Sequence, residues 1–255
     1  MFKISARREI WEIVHNVCSK ITDRIPLEMN EKEIIINCID EAKALIAHLI
    51  IDNSVFDRYE VTKSKRIGIN LLRLGETLKV FRRAKKDNIY FSLEEKTQRI
   101  IFSEEKILLK FNLEHIDQTD SYLELENMTN RFTFTIKIPV EEMDIGIRAC
   151  GLTGSDEIKM IYDGKTLIMH SDGDFGEAQY EIGINKIQEL HFNKKTEGKF
   201  LIEMLLDIIQ PAMKSKFITL HLGNNLPIRI DFTVLNQKGQ VTYYLASLNN
   251  LEVVS

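Results

Sequence analysis

The sequence predicts an α+β fold made of two similar domains, each with mostly antiparallel sheets and two helices. Three observations predict it. Alternating apolar and polar residues, typical of half-buried antiparallel strands, recur through the chain. Four amphipathic helices are too few to cover both faces of a parallel sheet. The order of helices and strands in the first half recurs in the second, which indicates a duplicated unit.

The first half contains two helices with strands after each. The helix predicted over about 6–21 has an apolar stripe at helical spacing, formed by Ile10, Ile13, Val14, Val17 and Ile21. The helix predicted over about 70–83 has a similar stripe, formed by Leu71, Leu74, Leu78 and Phe81. The strands predicted in this half are 33–39, 44–51, 59–61, 89–93, 99–102 and 106–111.

The second half repeats this order. A helix over about 140–151 places Met143, Ile147 and Cys150 on one face. A helix over about 199–210 carries a stripe formed by Phe200, Leu201, Met204, Leu205 and Ile208. The strands predicted here are 157–161, 166–170, 179–182, 217–222, 226–232 and 241–246.

Two pairs of similar segments support the duplication. Phe56–Val61 is similar to Glu177–Ile182, and Asn88–Leu93 is similar to Phe217–Leu222, at offsets of roughly 120–130 residues. The stretch 114–130 between the halves is polar, acidic and without a clear period, as an extended connector would be. We therefore expect a domain at 1–113, a connector at 114–130 and a second domain at 131–255.

Composition limits the classes of protein to consider. The 255 residues are 44% hydrophobic and 28% charged, as in a globular protein. No apolar run reaches the roughly 18 residues of a membrane span, and the N-terminus has no apolar core of a secretory signal. Three widely spaced cysteines favour a reducing interior over a disulfide framework. The net charge of −4 means that any contact with DNA must use a local patch.

Motifs for catalysis or cofactor binding are not found in the sequence. It lacks the phosphate loop, the dinucleotide fingerprint and the nucleophile elbow. The six histidines are scattered, without the spacing of metal ligands. We therefore expect no catalytic residue, no metal and no cofactor.

Basic residues on the predicted helices allow two interpretations. The second helix ends in Arg82, Arg83, Lys85 and Lys86, and further cations lie on or beside all four helices. Ordinary solubility and stabilisation of helix C-termini explain such cations well. The alternative is that four helices present them to phosphate, a contact that carries no sequence information.

The sequence resembles the PCNA sliding clamps of archaea and eukaryotes over nearly its whole length. The resemblance depends on several stretches in the same order as in that family. They are Met1-Phe2-Lys3, Ile39-Asp40, Val55–Val61, Ile67–Leu71, Leu78-Lys79, Leu226–Ile230 and Tyr243-Tyr244-Leu245-Ala246.

The resemblance implies a ring of three subunits, with helices lining a hole that duplex DNA threads. Such clamps are not enzymes. They tether DNA polymerase, flap endonuclease and DNA ligase, and a clamp loader opens them. The implied place of action is the archaeal cytoplasm or the eukaryotic nucleus, with no membrane contact.

The resemblance also assigns residues to three surfaces. The DNA-facing cations would be Arg7, Lys20, Arg73, Lys79, Arg82, Arg83, Arg148 and Lys214. The partner-binding pocket would use Ile39, Ile46, Leu125, Leu226, Pro227, Tyr244 and Ala246. The subunit interface would use Lys110, Phe111, Tyr180 and Ile182, on two sheet edges.

Departures from the family pattern leave other functions open. The family usually continues Leu-Ala with proline, whereas Ser247 follows Ala246 here. The fourth helix carries Glu203 and Asp207, and the first carries Glu9 and Glu12, where cations would be expected. A homotrimeric or heterotrimeric replication clamp is the first hypothesis. A clamp-like checkpoint or structural subunit is the second, and a two-domain enzyme is the third.

Overall fold

The computed structural model describes residues 2–115, 131–224 and 226–248. Contacts between residues divide the chain into two units. The first unit comprises the described residues within 1–41, 47–119 and 233–241, and the second comprises those within 42–46, 120–232 and 242–255. The predicted division at 113 and 131 stays a prediction.

The first half of the chain forms nine strands and two α-helices within its described residues. In chain order they are β1 (Phe2–Arg7), α1 (Arg8–Cys18), β2 (Arg24–Met29), β3 (Glu33–Ile39), β4 (Leu45–Asp52), β5 (Arg58–Val61), β6 (Lys65–Asn70), α2 (Leu71–Arg83), β7 (Asn88–Glu94), β8 (Arg99–Glu104) and β9 (Ile107–Asn112).

The second half has the same succession of elements. They are β10 (Phe134–Pro139), α3 (Val140–Gly151), β11 (Glu157–Tyr162), β12 (Leu167–Gly173), β13 (Gly176–Ile182), β14 (Gln188–Phe192), β15 (Thr196–Leu201), α4 (Ile202–Ala212), β16 (Phe217–Leu222), β17 (Ile228–Val234) and β18 (Gly239–Leu245).

Sheet topology confirms the predicted duplication. In the first half the strand orders are β5-β1-β7-β8-β9 and β4-β3-β2-β6. In the second half they are β14-β10-β16-β17-β18 and β13-β12-β11-β15, which are the same two orders. The pairings for which a register is defined are antiparallel, as the alternating sequence pattern predicts.

Each half buries one stripe of each helix. Helix α1 packs on α2 in the first unit, and α3 packs on α4 in the second. Trp11 of α1 is fully buried and meets Phe91 and Phe102 edge-on, with ring centroids 4.8 and 5.9 Å away. Such aromatic contacts add to the free energy of burial.

Close approach between elements requires glycine at two helical positions. A Cβ at Gly75 of α2 would overlap His15 of α1. A Cβ at Gly146 of α3 would overlap the side chains of Met169 and Tyr180. These glycines set how near α2 comes to α1, and how near α3 comes to the sheet beneath it.

The sequence patterns located the helices but missed several strands. The first helix spans Arg8–Cys18 and not 6–21, because Phe2–Arg7 pairs with β5 and β7. The fourth helix begins at Ile202, since Thr196–Leu201 pairs with β11. The other strands that were not predicted are β2, β6, β10 and β14.

One of the two similar pairs of segments was aligned wrongly. Asn88–Leu93 and Phe217–Leu222 do occupy equivalent strands, β7 and β16. Phe56–Val61 contains β5, whereas Glu177–Ile182 lies in β13, which is the counterpart of β4. Plain alternating strands resemble one another whichever position they occupy, so that similarity had no topological meaning.

Candidate functional site

Helix α2 presents a row of cations to solvent. The Asn70 side chain caps the helix by accepting a hydrogen bond from the Arg73 amide at 2.9 Å. The helix buries the stripe formed by Leu71, Leu74, Thr77, Leu78 and Phe81. The opposite side therefore faces water. It carries four predicted DNA-facing residues, all of them exposed: Arg73, Lys79, Arg82 and Arg83.

Carboxylates offset part of this charge. Glu76 accepts a hydrogen bond from Lys79 at 2.7 Å, and this bond lowers the pKa of the Glu76 carboxyl. Glu12 of α1 forms ion pairs with Arg82 at 2.8 Å and with Arg8 at 3.2 Å. The pair formed by Arg82 also links α2 to α1.

Arg148 of α3 is exposed but tied to its own helix. Its Nε donates to both oxygens of Asp144, at 2.8 and 2.9 Å. This bond raises the pKa of the Arg148 guanidinium. The charge is therefore balanced locally by a carboxylate one helical turn away.

The other three predicted DNA-facing cations lie outside the helices, at their ends. Arg7 is the last residue of β1, Lys20 follows α1, and Lys214 follows α4, and all three are exposed. Helix α4 itself carries Glu203 and Asp207 and, within Ile202–Ala212, no cation.

Strand β9 lies at one edge of its sheet. Lys110 is exposed there and forms an ion pair with Glu94 at 2.8 Å. Phe111 is half-buried, with its ring 6.3 Å from that of Phe102. Lys110 and Phe111 also line a cavity of about 450 Å³ together with Arg73, so Arg73 lies beside this edge.

Strand β13 lies at the edge of the corresponding sheet in the second half. Tyr180 is half-buried and its hydroxyl donates to Glu142 of α3 at 2.8 Å. Burial and the Glu142 carboxylate together raise the pKa of the Tyr180 hydroxyl. Ile182 is fully buried, so it belongs to the core beneath the edge.

Exposed apolar residues next to these edges were missed by sequence reasoning. Leu108 of β9 is 61% exposed. Phe175, in the turn before β13, is 85% exposed, and Leu152 at the end of α3 is 81% exposed. Two features of the sequence could have indicated them. Leu108 interrupts the alternation of apolar and polar residues in its strand, and Phe175 is an aromatic residue in a turn between Gly173 and Gly176.

The predicted pocket residues fall into two groups. Leu226 and Tyr244 are 2% exposed and therefore belong to the core. Pro227 and Ala246 are half-buried, and Ile46 is 9% exposed. Within the second unit, the Ala246 amide donates to the Ala44 carbonyl at 2.8 Å, which brings Ile46 near the end of β18. Ile39 is half-buried on β3 of the first unit, and Leu125 lies outside the described residues.

A polar network crosses the sheet of the second unit beside Tyr244. Asp231 accepts hydrogen bonds from Thr242 at 2.6 Å and from Arg229 at 2.9 and 3.0 Å. His221 Nε2 lies 2.7 Å from Asp231, and its Nδ1 lies 3.0 Å from the Thr135 hydroxyl. Arg229 in turn lies 5.7 Å from the ring centre of Tyr244. Sequence reasoning missed this network, since its members are dispersed over four strands.

Burial disfavours the charged form of Asp231, but its partners outweigh burial. His221, Arg229 and Thr242 lower the pKa of the Asp231 carboxyl. At neutral pH Asp231 is therefore ionised, and it holds Arg229 beside Tyr244, a residue of the predicted pocket.

The described residues provide neither a metal centre nor a membrane span. They contain no group of three or more histidine, cysteine or carboxylate side chains arranged to hold a metal ion. Among their helices, none is long and apolar enough to cross a membrane.

Comparison with known proteins shows that the chain is similar to DNA sliding clamps. No protein-family model matches it. It is 25% identical over 248 residues to a DNA polymerase sliding clamp of Methanosarcina barkeri, covering 96% of this chain and 98% of the relative. This likeness confirms the predicted resemblance to the sliding clamps.

Solved structures show the fold. The proliferating cell nuclear antigen of Entamoeba histolytica superimposes with a TM-score of 0.82 at 19% identity, over 96% of this chain and 98% of that one. PCNA of A. fulgidus, solved with the C-terminal region of FEN-1, superimposes with a TM-score of 0.80 at 18% identity, over 97% of this chain and 98% of that one. The chain has the two-domain fold of PCNA, as the sequence predicted.

The Asp231 network makes a prediction about stability. We expect Asp231→Asn to lower the free energy of unfolding of the second unit at neutral pH by about 1.5–3 kcal/mol, because the variant cannot form the charge-assisted hydrogen bonds. The pKa of Asp231 is lower in the folded protein than its ordinary value of 3.8. Its contribution is therefore present above that value and disappears as pH falls through the folded pKa.

Urea unfolding followed by circular dichroism at neutral pH and at about pH 3 measures both effects. The difference in the free energy of unfolding between the native protein and Asp231→Asn should be smaller at the lower pH. Asp172→Asn is the matched control, because Asp172 is exposed in the same unit. Equal destabilisation by both variants would contradict the role assigned to Asp231.

Proposed function

We propose that this chain is a subunit of a DNA sliding clamp, a ring that encircles duplex DNA and tethers replication and repair enzymes. The duplicated domain with paired helices, matched over nearly its full length by sliding clamps, is the observation that carries the proposal. The clients expected from the relatives are DNA polymerase and flap endonuclease, with DNA ligase and a clamp loader implied by the family resemblance.

The proposed role needs no chemical step. Cations on exposed helices contact phosphate without reading sequence, so a ring can slide along the duplex. Retention then depends on ring closure and not on strong binding. A net charge of −4 is compatible with this, because positive charge is needed on one surface alone.

The ring contact proposed here joins the β9 edge of one subunit to the β13 edge of the next. Edge strands carry backbone groups that can pair with a second chain. The exposed apolar residues Leu108, Phe175 and Leu152 lie beside those two edges. Lys110 of β9 and the exposed Glu177 and Glu181 of β13 provide opposite charges. A head-to-tail contact of this kind closes into a ring when its rotation allows.

Retention on DNA tests the proposed function. The protein, loaded by a clamp loader, should remain on nicked circular DNA and run off linear DNA of the same length. The reason is that topological retention ends when a free DNA end is reached. Gel filtration of the DNA after loading measures the retained protein.

Equal loss from circular and linear DNA would contradict a topological link. Light scattering then separates the remaining possibilities. An assembled ring that is lost equally from both DNAs would favour the alternative role, a structural or checkpoint subunit. A persistent monomer, alone and with related clamp subunits, would rule out both.

The subunit contact makes a separate prediction. Phe175→Glu places a carboxylate in the proposed apolar contact, next to Glu177. We expect it to lower the assembled mass measured by light scattering and to abolish retention on circular DNA. Leu190→Glu is the control, because Leu190 is also exposed in the second unit but lies on β14. An unchanged mass for Phe175→Glu would remove the proposed contact.

The proposed docking pocket uses Ile46, Pro227, Tyr244 and Ala246 of the second unit. Apolar walls of this kind suit the aliphatic and aromatic side chains of a client peptide. Tyr244 is buried and would form the base of this pocket, and Arg229 lies 5.7 Å from its ring centre. Ser247 follows Ala246 at the position where the family usually has proline. It is buried, and its hydroxyl donates a hydrogen bond to the Lys199 carbonyl at 3.3 Å.

Peptide binding tests this pocket. A peptide from the C-terminal region of a flap endonuclease should bind, and Ala246→Glu should weaken it about tenfold or more, because the carboxylate would lose water inside an apolar contact. Fluorescence anisotropy with a labelled peptide measures the affinity. Leu190→Glu again serves as control. Equal affinity for Ala246→Glu and the native protein would contradict the pocket assignment.

A further inference from the structure

Two of the three cysteines are in contact in the core of the first unit. Cys18 is the last residue of α1 and is fully buried, and Cys38 lies on β3 with 5% of its surface exposed. Both thiols are free, and a hydrogen bond joins the two side chains. The fold therefore brings together two oxidisable groups from separate elements.

The third cysteine has the same burial but not the same neighbour. Cys150 lies on α3 in the second unit and is fully buried. Burial raises the pKa of its thiol to about 11, and no second thiol among the described residues, which include all three cysteines, contributes. A single buried cysteine of this kind acts as a small apolar residue of the core.

The end of α1 controls access to the thiol pair. The hydrogen bond with Cys38 and burial raise the pKa of the Cys18 thiol. Since the thiolate is the reactive form, the closed protein reacts slowly with oxidants. The amides of Ile21 and Thr22 donate to the Cys18 carbonyl at 3.0 and 3.2 Å. Breaking these two bonds opens the helix end, and such ends open more readily than the strands of a core.

We propose that Cys18 and Cys38 form a reversible disulfide when the protein meets a peroxide, and that this bond ties the end of α1 to β3. Cys18 reacts first because it lies at the helix end, whereas β3 is held by its pairing with β2. The inference goes beyond the proposed function and does not depend on it.

The reaction has two steps. The Cys18 sulfur attacks one oxygen of hydrogen peroxide and the O–O bond breaks, which gives a sulfenic acid and one water. The Cys38 sulfur then attacks the Cys18 sulfur, and the S–O bond breaks. The hydroxyl leaves with the Cys38 proton as a second water. Two electrons pass from the thiol pair to the peroxide, and a dithiol reductant returns them.

The bond has two physical consequences. It closes the loop from 18 to 38, which contains β2, and this restricts the unfolded chain and stabilises the first unit. It also removes the sulfenic acid before further oxidation makes it irreversible. The cross-link would therefore keep the first unit folded under oxidising conditions.

Peptide mapping of the native protein is the direct test. After treatment with hydrogen peroxide, the protein is alkylated in denaturant and digested with trypsin without reductant. Cleavage at Lys20, Arg24 and Lys32 separates the two cysteines, so mass spectrometry should find the peptides 9–20 and 33–43 linked. Dithiothreitol should release them. The Cys150 peptide, 149–159, is the internal control and should carry the alkyl group of a free thiol.

Stability provides the second measurement. Oxidation should raise the midpoint of thermal unfolding of the first unit by roughly 5–10 °C. Hydrogen exchange at the amides of Ile21 and Thr22 should slow, because the helix end can no longer open without moving β3. Cys38→Ala should lose both effects, and Cys150→Ala, the matched control, should keep them.

The native protein decides the inference even if a variant fails to fold. Absence of the linked peptides, with Cys18 and Cys38 recovered as free thiols or as sulfinic acids, would overturn it. Linkage of Cys150 to either cysteine would overturn it as well. An oxidised protein with linked peptides but unchanged exchange at Ile21 and Thr22 would overturn the proposed tether.

Discussion

Burial of one apolar stripe on each helix is the constraint on which the rest of this structure depends. Trp11 on α1 and Leu78 on α2 enter the core, and the opposite sides of those helices must then face water. The same packing fixes where Lys79 and Arg83 point. Core formation therefore leaves one side of each helix exposed to water. The residues on that side determine whether its charge is positive or negative.

Both halves of the duplicated chain have this packing, but the exposed surfaces of their helices differ in charge. The sheets keep their strand orders, since a changed order would break backbone pairing throughout the core. Exposed helix positions carry no such cost, and surface substitutions generally change stability little. Glu203 on α4 and Arg83 on α2 could thus diverge freely, which explains how one fold presents a basic pair of helices and an acidic one.

The proposed docking pocket combines buried and exposed groups. Tyr244 is a core residue, yet it forms the underside of the proposed pocket. Arg229 lies 5.7 Å from the centre of its ring and is held by Asp231, which accepts a hydrogen bond from Thr242 and contacts His221. Rigid support of this kind reduces the entropy lost when a peptide binds.

The sequence by itself determined the α+β class, the duplication and the helix faces, because period and amphipathicity are local properties that survive without tertiary context. The tertiary structure alone decided strand pairing. It rejected the match of Phe56–Val61 with Glu177–Ile182, and it assembled the Asp231 network from separate strands. Such interactions depend on distances between chain-remote groups or on side-chain geometry, and no sequence pattern encodes them directly.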